Sequence, residues 1–378
     1  MGRVLLVVLL AVIPGLAWSQ SSQFGVRGLG LPGRELGTHA LGSGGAFGLF
    51  DSESSLNPAA VAAVQTLTSV FTASQAFRTV ENPAGTASTR DTRFPHLMVA
   101  GPLRNTGLAF GFSYSGYTDR DFSIASTNTA ELRGIPVLVT DSFSSRGGLS
   151  DLRVAVAYRL QDRWTFGGGL HLITGSNRLE TRRTFDDPSY LRSQQRAEIA
   201  YGGAGLSGGI IRQMGTRFAM AALARWDGRV EVERDSTRAG TVDLPFTFGL
   251  GLRWHPDRHL DLAAQGLART WSAANSDLIE QGGVGAENTL EVAIGGEFTP
   301  DLERPYRRPL RFGARYGVLP FPLIPGTHPR EYGVSVGSGM RFAQQRAGID
   351  LALEHVWRSE GVYSERGFVL TVGVSVRP

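Results

Sequence analysis

Residues 244–271, LPFTFGLGLRWHPDRHLDLAAQGLARTW, form two alternating runs joined by the three turn residues HPD. On the first run Phe246, Phe248, Leu250, Leu252 and Trp254 share one face, while Thr247, Gly249, Gly251 and Arg253 share the other, the period-two pattern of a strand. Alternation bounded by Gly, Pro, Asn and Asp clusters predicts further strands over 67–78, 94–103, 107–117, 151–160, 164–174, 197–212, 216–226, 244–255, 259–271, 289–299, 309–319, 331–343, 346–358 and 367–377. Most run to ~10–12 residues, against ~5–6 in soluble sheets and the ~9–11 that cross a bilayer at a tilt.

The connections sort by parity. Tight joins at 104–106, 161–163, 213–215, 256–258 and 344–345, with a longer one at 300–308, alternate with long polar stretches at 79–93, 118–150, 175–196, 227–243, 272–288, 320–330 and 359–366. Short turns on one rim and long loops on the other characterise an outer-membrane barrel, whereas a sandwich has no reason to sort its loops. The faces agree: Leu152, Val154, Val156, Tyr158 and Leu160, then Ile349, Leu351, Leu353 and Trp357, then Phe368, Leu370, Val372, Val374 and Val376 alternate with Arg153, Arg159, Asp350 and Glu354 or with small residues. An apolar face toward lipid and a charged face toward a lumen explain both. The fold class expected is all-β, a transmembrane antiparallel β-barrel of about 14 strands. Trp164, Trp226, Trp254, Trp271, Tyr332 and Trp357 fall near strand ends, where aromatic rings sit at headgroup level. The glycine-rich 197–212 strand has no clean face, and either a bulge or a weak register accounts for it.

Residues 1–19 read as a signal peptide, with Arg3, an apolar run from Val4 to Ile13, a Pro14-Gly15 break and small Ala17 and Ser19 at the cleavage site. The run is roughly half the ~20 residues a helical span needs, and the chain has no later run of that length. Export to the outer membrane of a Gram-negative-type bacterium follows. The chain has no cysteine, which excludes disulfides and thiolate metal sites. All 38 basic residues are arginine, spread along the chain rather than gathered into a basic stripe, so no nucleic-acid footprint forms.

Residues 25–65 are too glycine-rich for strands and carry one helical piece, with Asn57 as N-cap, Pro58 at the first helical position and Ala59 onward as helix. This glycine-rich lead with DSESSLNPAAVA (51–62) resembles the N-terminal hatch of the FadL-type outer-membrane transporters of long-chain fatty acids and aromatic hydrocarbons. The 244–271 hairpin, RPLRFGARYGV (308–318) and the last strands from Arg330 onward are also similar to that family. The resemblance implies a hatch (20–65) folded inside a fourteen-stranded barrel (66–378), with the family's hatch element on Asn57, Pro58 and Ala59. It also implies passive uptake of a hydrophobic small molecule by loop capture, hatch movement and lateral release. In the 118–150 connection the apolar GIPVLV (134–139) offers Ile135, Val137, Leu138 and Val139 as ligand contacts or as a buried packing strand. Phe47 and Phe50 in the hatch line an apolar pocket or anchor the plug. Two departures stand out: the chain ends VSVRP without a terminal aromatic, and the 118–150 connection is short for that family. Ligand choice does not transfer.

Barrels of similar size and hatch, such as the PorV-like component of type IX secretion, act as docking partners, and that is the alternative function. The partners expected are outer-membrane lipid, a hydrophobic ligand and the outer-membrane barrel assembly machinery. No enzyme, cofactor or metal site is expected. Gly28 to Gly33 spells G-x-G-x-x-G without a preceding strand, and Gly205 to Gly209 spells G-x-S-x-G in mid-strand. His255 and His259 flank a turn, and Asp350 and Glu354 lie among arginines as solvated charge balance.

Overall fold

The computed structural model describes residues 22–161, 163–304 and 307–378, so the signal-peptide reading of 1–19 lies outside the described residues. Fourteen antiparallel strands close into one barrel, each pairing with the next and the last with the first. In chain order they are β1 (Thr68–Asn82), β2 (Gly85–Pro102), β3 (Leu108–Asp119), β4 (Ile135–Leu160), β5 (Trp164–Phe185), β6 (Ser193–Met214) and β7 (Phe218–Trp226). The second half comprises β8 (Phe246–Trp254), β9 (Leu260–Arg269), β10 (Thr289–Phe298), β11 (Arg307–Val318), β12 (Arg330–Phe342), β13 (Ala347–Glu360) and β14 (Tyr363–Val376).

Lateral exposure follows the alternation. Phe246, Phe248, Leu250, Leu252 and Trp254 are each more than two-fifths exposed on the outer wall, as are Phe368, Leu353 and Val376 on the last strands, whereas Arg153, Arg311, Arg315 and Glu354 are buried inside. In water this outer surface is an aggregation site, and in a bilayer it is the lipid contact. Trp254 stacks on Phe218 at 6.1 Å near the short-turn rim, and Trp226 and Trp357 sit exposed at the other end of the wall. Trp271 corrects the belt reading: it is 1% exposed, packed edge-on to Phe321 at 5.1 Å and beside Tyr117 at 6.2 Å.

Several expected loops are strand. β1 and β2 run on to a turn at Pro83-Ala84, β5 continues to Phe185, and β13 and β14 turn at 361–362. Thr- and Arg-rich segments retain β-propensity when both faces are polar, so the strands project beyond the bilayer as a polar collar, and lack of an apolar face is no sign of a loop. The 134–139 stretch likewise opens β4 and pairs with the strand Phe122–Leu132. β6 settles the 197–212 question, because it pairs with β5 residue for residue from Arg212 to Ser193 with no bulge. Its lower part pairs with β7, and its upper part with Arg229–Arg234, which forms a projecting hairpin with Thr237–Asp243.

The glycines of β5 and β6 have a packing reason. A Cβ on Gly209 would lie 1.9 Å from Asn57 Oδ1, and one on Gly167 2.3 Å from the Ala59 nitrogen, so only glycine lets the N-terminal segment, labelled the hatch after the resemblance above, lie flat on this wall. Residues 22–64 pack on inward-facing groups of the wall. Asn57 caps a 3-10 helix, Pro58–Ala63, accepting from the Ala59 N–H at 3.0 Å while its amide donates to the Leu49 carbonyl at 2.8 Å.

Candidate functional site: an opening in the wall beside the hatch

The ladder between β2 and β3 is short. It runs from Pro102↔Ala109 to His96↔Ser115 and stops, although β2 continues to Gly85. The cause is local: Pro95 has no N–H to give to a ladder. Opposite, β1 pairs Thr72 with His96 and next Ser74 with Arg93, so Phe94 and Pro95 form a bulge. The bulge reverses the parity of β2, so that Met98 and His96 face inward below it and Asp91 and Thr89 face inward above it. Phe94 is thrown onto the lipid side, 60% exposed, with its ring 5.5 Å from that of Phe71.

Above Ser115, β3 turns to the hatch. Leu31–Pro32 bridges Asp119 and Thr118, and the Gly33 N–H donates to the Tyr117 carbonyl at 2.8 Å. Behind the opening lies a cavity of about 760 Å3, lined by Leu31 to Leu36 and Leu41 of the hatch, by Phe94, Pro95 and Tyr114 at the lipid face, and by Ser74, Asp91, Arg93, Asp119 and Glu354 inside. One cavity thus touches both lipid-facing and lumen-facing residues at the place where the β2–β3 ladder ends. Its charges are paired: Arg93 meets Asp119 at 2.6 Å and Asp121 at 2.8 Å across the gap, and also contacts Asp91.

The long-loop end carries an apolar cluster. Leu29 of the hatch packs with Tyr117, Leu149, Val230, Val242, Leu244, Trp271, Leu278 and Phe321, an apolar cap built by the loops and the projecting hairpin. At the inner end a second cavity, about 580 Å3, borders Glu53, Val64, Arg341 and Arg377.

Ion pairs seat the hatch between these ends. Arg225 holds Glu35 with 2.8 and 2.9 Å contacts, Arg34 meets Glu354 at 2.9 Å, and Arg377 meets Glu53 at 2.6 Å. At the N-terminal edge Ser22 Oγ donates to Glu365 at 2.8 Å. His39 lies 3.0 Å from Glu297 and 3.6 Å from Asp51. Burial and Arg311 oppose charge on His39, but the hydrogen bond to Glu297 and the charges of Asp51 and Glu297 outweigh them, and its pKa is raised. A raised histidine pKa adds stability that is complete below the unfolded value and is lost as pH rises through the folded one. Thermal stability is therefore expected to fall from pH 5 to pH 8.5 in the wild type, and less so in His39→Gln. Equal slopes in the two proteins would remove His39 from the account.

The residues nominated from sequence are scattered. Phe47 is buried against Ala46, Ala263 and Ala293, with Arg253 over its ring at 5.6 Å, whereas Phe50 packs with Leu36, Leu49 and Leu56. Val137 and Val139 are buried on the upper extension of β4, while Ile135 and Leu138 are exposed there at 59% and 48%. None of these six lines the 760 Å3 cavity. Asn57, Pro58 and Ala59 lie together against β5 and β6. Strand alternation alone does not single out Pro95, whose signal is a proline inside a strand, or Trp271, whose signal is an indole in a loop-adjacent position. In the G-x-S-x-G stretch, Ser207 Oγ lies 2.8 Å from His171 Nε2, whose Nδ1 is 2.8 Å from Asp151. These three side chains tie β4, β5 and β6 together, and Arg225 joins them through Asp151 at 3.0 Å; Ser207 does not line the cavity.

Among solved structures the chain is similar to a FadL homologue of Pseudomonas aeruginosa, with 14% identity and a TM-score of 0.65 over 92% of this chain and 99% of that one. It is similar to the Pseudomonas putida toluene transporter TodX, with 14% identity and a TM-score of 0.58 over 91% and 98% of the two chains. The Ralstonia pickettii toluene transporter TbuX gives 12% identity and a TM-score of 0.57 over 90% and 98%. At such identities the likeness is one of fold. No curated protein matches the sequence. The sequence model of the BamG family matches residues 1–216, more than half of the 378, and on that match the chain belongs to the BamG family.

Proposed function

We propose that the protein is an outer-membrane channel that passes a hydrophobic or amphipathic small molecule between its interior and the lipid through the β2–β3 opening, without an energy source. The observation that carries this is the cavity continuous from hatch to lipid face at Phe94 and Pro95. The cap over the outer mouth makes a straight aqueous pore a poor reading, and the fold neighbours, toluene transporters and a FadL homologue, point the same way. Entry in this reading begins at the exposed Ile135 and Leu138 of the β4 extension, and release needs the hatch segment Leu31–Pro32 to leave β3. With the cavity charges already paired, an apolar body with a small polar end fits better than a free ion.

The test is transfer of a fluorescent long-chain fatty acid, and of its neutral ester, into the bilayer of proteoliposomes. Wild-type protein is expected to accelerate transfer, and a variant with Phe94-Pro95 replaced by a single valine, which restores ladder and parity, to lose most of that acceleration. Equal rates in both proteins sink the lateral route.

A second reading is a docking component that works with other outer-membrane proteins, as the BamG family name suggests through its barrel-assembly link. The tight ionic seating of the hatch favours it. Recovery of barrel-assembly proteins on the purified protein, with no fatty-acid transfer, selects this reading over the first.

A further inference from the structure

On one side of the barrel the seam between the lipid band and the polar collar is sharp. Reading across β13, β14, β1 and β2, one outward row is His355, Phe368, Phe77 and Arg90. The next row up is Trp357, Arg366, Thr79 and Ser88, and the row above that is Ser359, Ser364, Glu81 and Thr86. Apolar wall gives way to collar within two rows, which sets this level at the lipid head groups. A groove of about 660 Å3 lies here, lined by Phe77, His355 and Phe368 below and by Thr79, Ser88, Arg90 and Arg366 toward the collar.

Floor and rim of the groove differ in kind. On the floor Phe77 and Phe368 are 44% and 50% exposed, His355 stacks on Phe368 at 4.2 Å, and Leu353 and Leu370 continue the apolar wall below. Under Arg90 the outward Thr92 donates to Gln75 at 2.6 Å, so that polar pair is satisfied within the wall. The rim carries an excess of cations. Arg90 makes no ion pair among the described residues and leans over Phe77, its guanidinium 5.5 Å from the ring centroid. The Arg366 side chain is 65% exposed, and its ion-pair contact is a loose one, 3.9 Å to Glu81. Elsewhere on the collar Arg183 and Arg229 hold Asp141 and Asp243 at 2.6 and 2.5 Å. Arg90 and Arg366 stand two strands apart, about 10 Å at the usual strand spacing. Because Arg90 already leans into that gap, both guanidiniums and the Thr79 and Ser88 hydroxyls can converge on one group lying over β1.

We propose that this groove is an outer-wall site for a lipid with a phosphomonoester head group, the phosphate held by Arg90 and Arg366 and the acyl chains lying down the wall over Phe77, Phe368 and Leu370. Guanidinium groups bind phosphate oxygens through paired, charge-assisted hydrogen bonds. A phosphomonoester, with about −1.5 to −2 charges and three free oxygens, serves two guanidiniums at once. A choline phosphodiester does not, because its own ammonium offsets its single charge. The inference rests on the bilayer placement of the wall and on neither reading of the protein's function.

Native mass spectrometry of the full chain released from detergent, with dioleoyl phosphatidic acid and dioleoyl phosphatidylcholine offered together, tests the site. Phosphatidic acid is expected to be retained in preference. Arg90→Gln combined with Arg366→Gln is expected to lower that retention at least about tenfold, the scale of one lost charge-assisted contact. Arg183→Gln combined with Arg229→Gln removes the same charge elsewhere on the collar and is expected to leave retention unchanged. All four positions are exposed, so both double variants should fold, and unchanged tryptophan fluorescence checks that they do. Equal retention of the two lipids, or equal loss in the two double variants, overturns the proposal. Capture of inorganic phosphate by Arg90 and Arg366 with no lipid preference would assign them to a soluble anion and overturn it as well.

Discussion

Replacing Arg225 with alanine is expected to destabilise the protein by about 3–5 kcal/mol, the range seen when one partner of a buried ion pair is removed. Arg225 is 3% exposed and is the cation shared by Glu35 of the hatch, Asp151 of β4 and the neighbouring Asp227. Its guanidinium also lies 5.4 Å from the ring of Tyr117, whose hydroxyl donates to Asp227 at 2.9 Å. Without it, the three carboxylates repel one another in one buried region. Adding Glu35→Gln to Arg225→Ala is expected to recover part of the loss by removing one of those charges. Urea unfolding in detergent, followed by tryptophan fluorescence, checks both. A loss below about 1 kcal/mol, the scale of a surface pair, would mean that the hatch is not held through this residue.

The second large effect is expected from Gly209→Val. Its Cβ would stand 1.9 Å from Asn57 Oδ1 and 3.2 Å from Pro58 Cδ, and a valine adds two methyl groups there. The Asn57 cap is worth about 0.5–2 kcal/mol and the overpacking costs about 1–3 kcal/mol more, enough to lift the NPA element from the wall. Faster proteolysis within residues 50–65 and larger ion conductance in planar bilayers are the expected results. Gly208→Val is the control, because nothing lies within 4 Å of its added Cβ. If the two variants behave alike, the hatch is not seated on this glycine.

The wall was legible because lipid enforces a simple rule. Every lipid-facing side chain must be apolar over a full crossing, so the alternation Phe246 to Trp254 reads directly, and the tight turns that follow locate the inner rim. The Asn57 cap was legible for a local reason, since capping chemistry is set within three residues. Beyond the bilayer the rule lapses. Gly175 to Phe185 and Gly85 to Arg93 are polar on both faces, and only their ladders identify them as strands. The end of the β2–β3 ladder was written in one residue, Pro95, but its meaning needed the register of β1, β2 and β3 together. The hatch contacts were hidden for the same reason: Gly167 and Gly209 are distant in sequence from Asn57 to Ala59 and meet them only in the closed barrel. Trp271 looked like a belt residue because it follows a strand, and it turned inward because Tyr117 and Phe321 supply an apolar site there.

The most direct test of the lateral opening is chemical access to Ser74→Cys, a position that lines the cavity behind β2 in a chain otherwise free of cysteine. In liposomes, a maleimide carried on a membrane-embedded acyl chain is expected to label this cysteine rapidly, and to label it much more slowly when Phe94-Pro95 is replaced by one valine. Labelling only by water-soluble maleimide, or equal lipid-phase labelling in both proteins, would contradict an opening between β2 and β3.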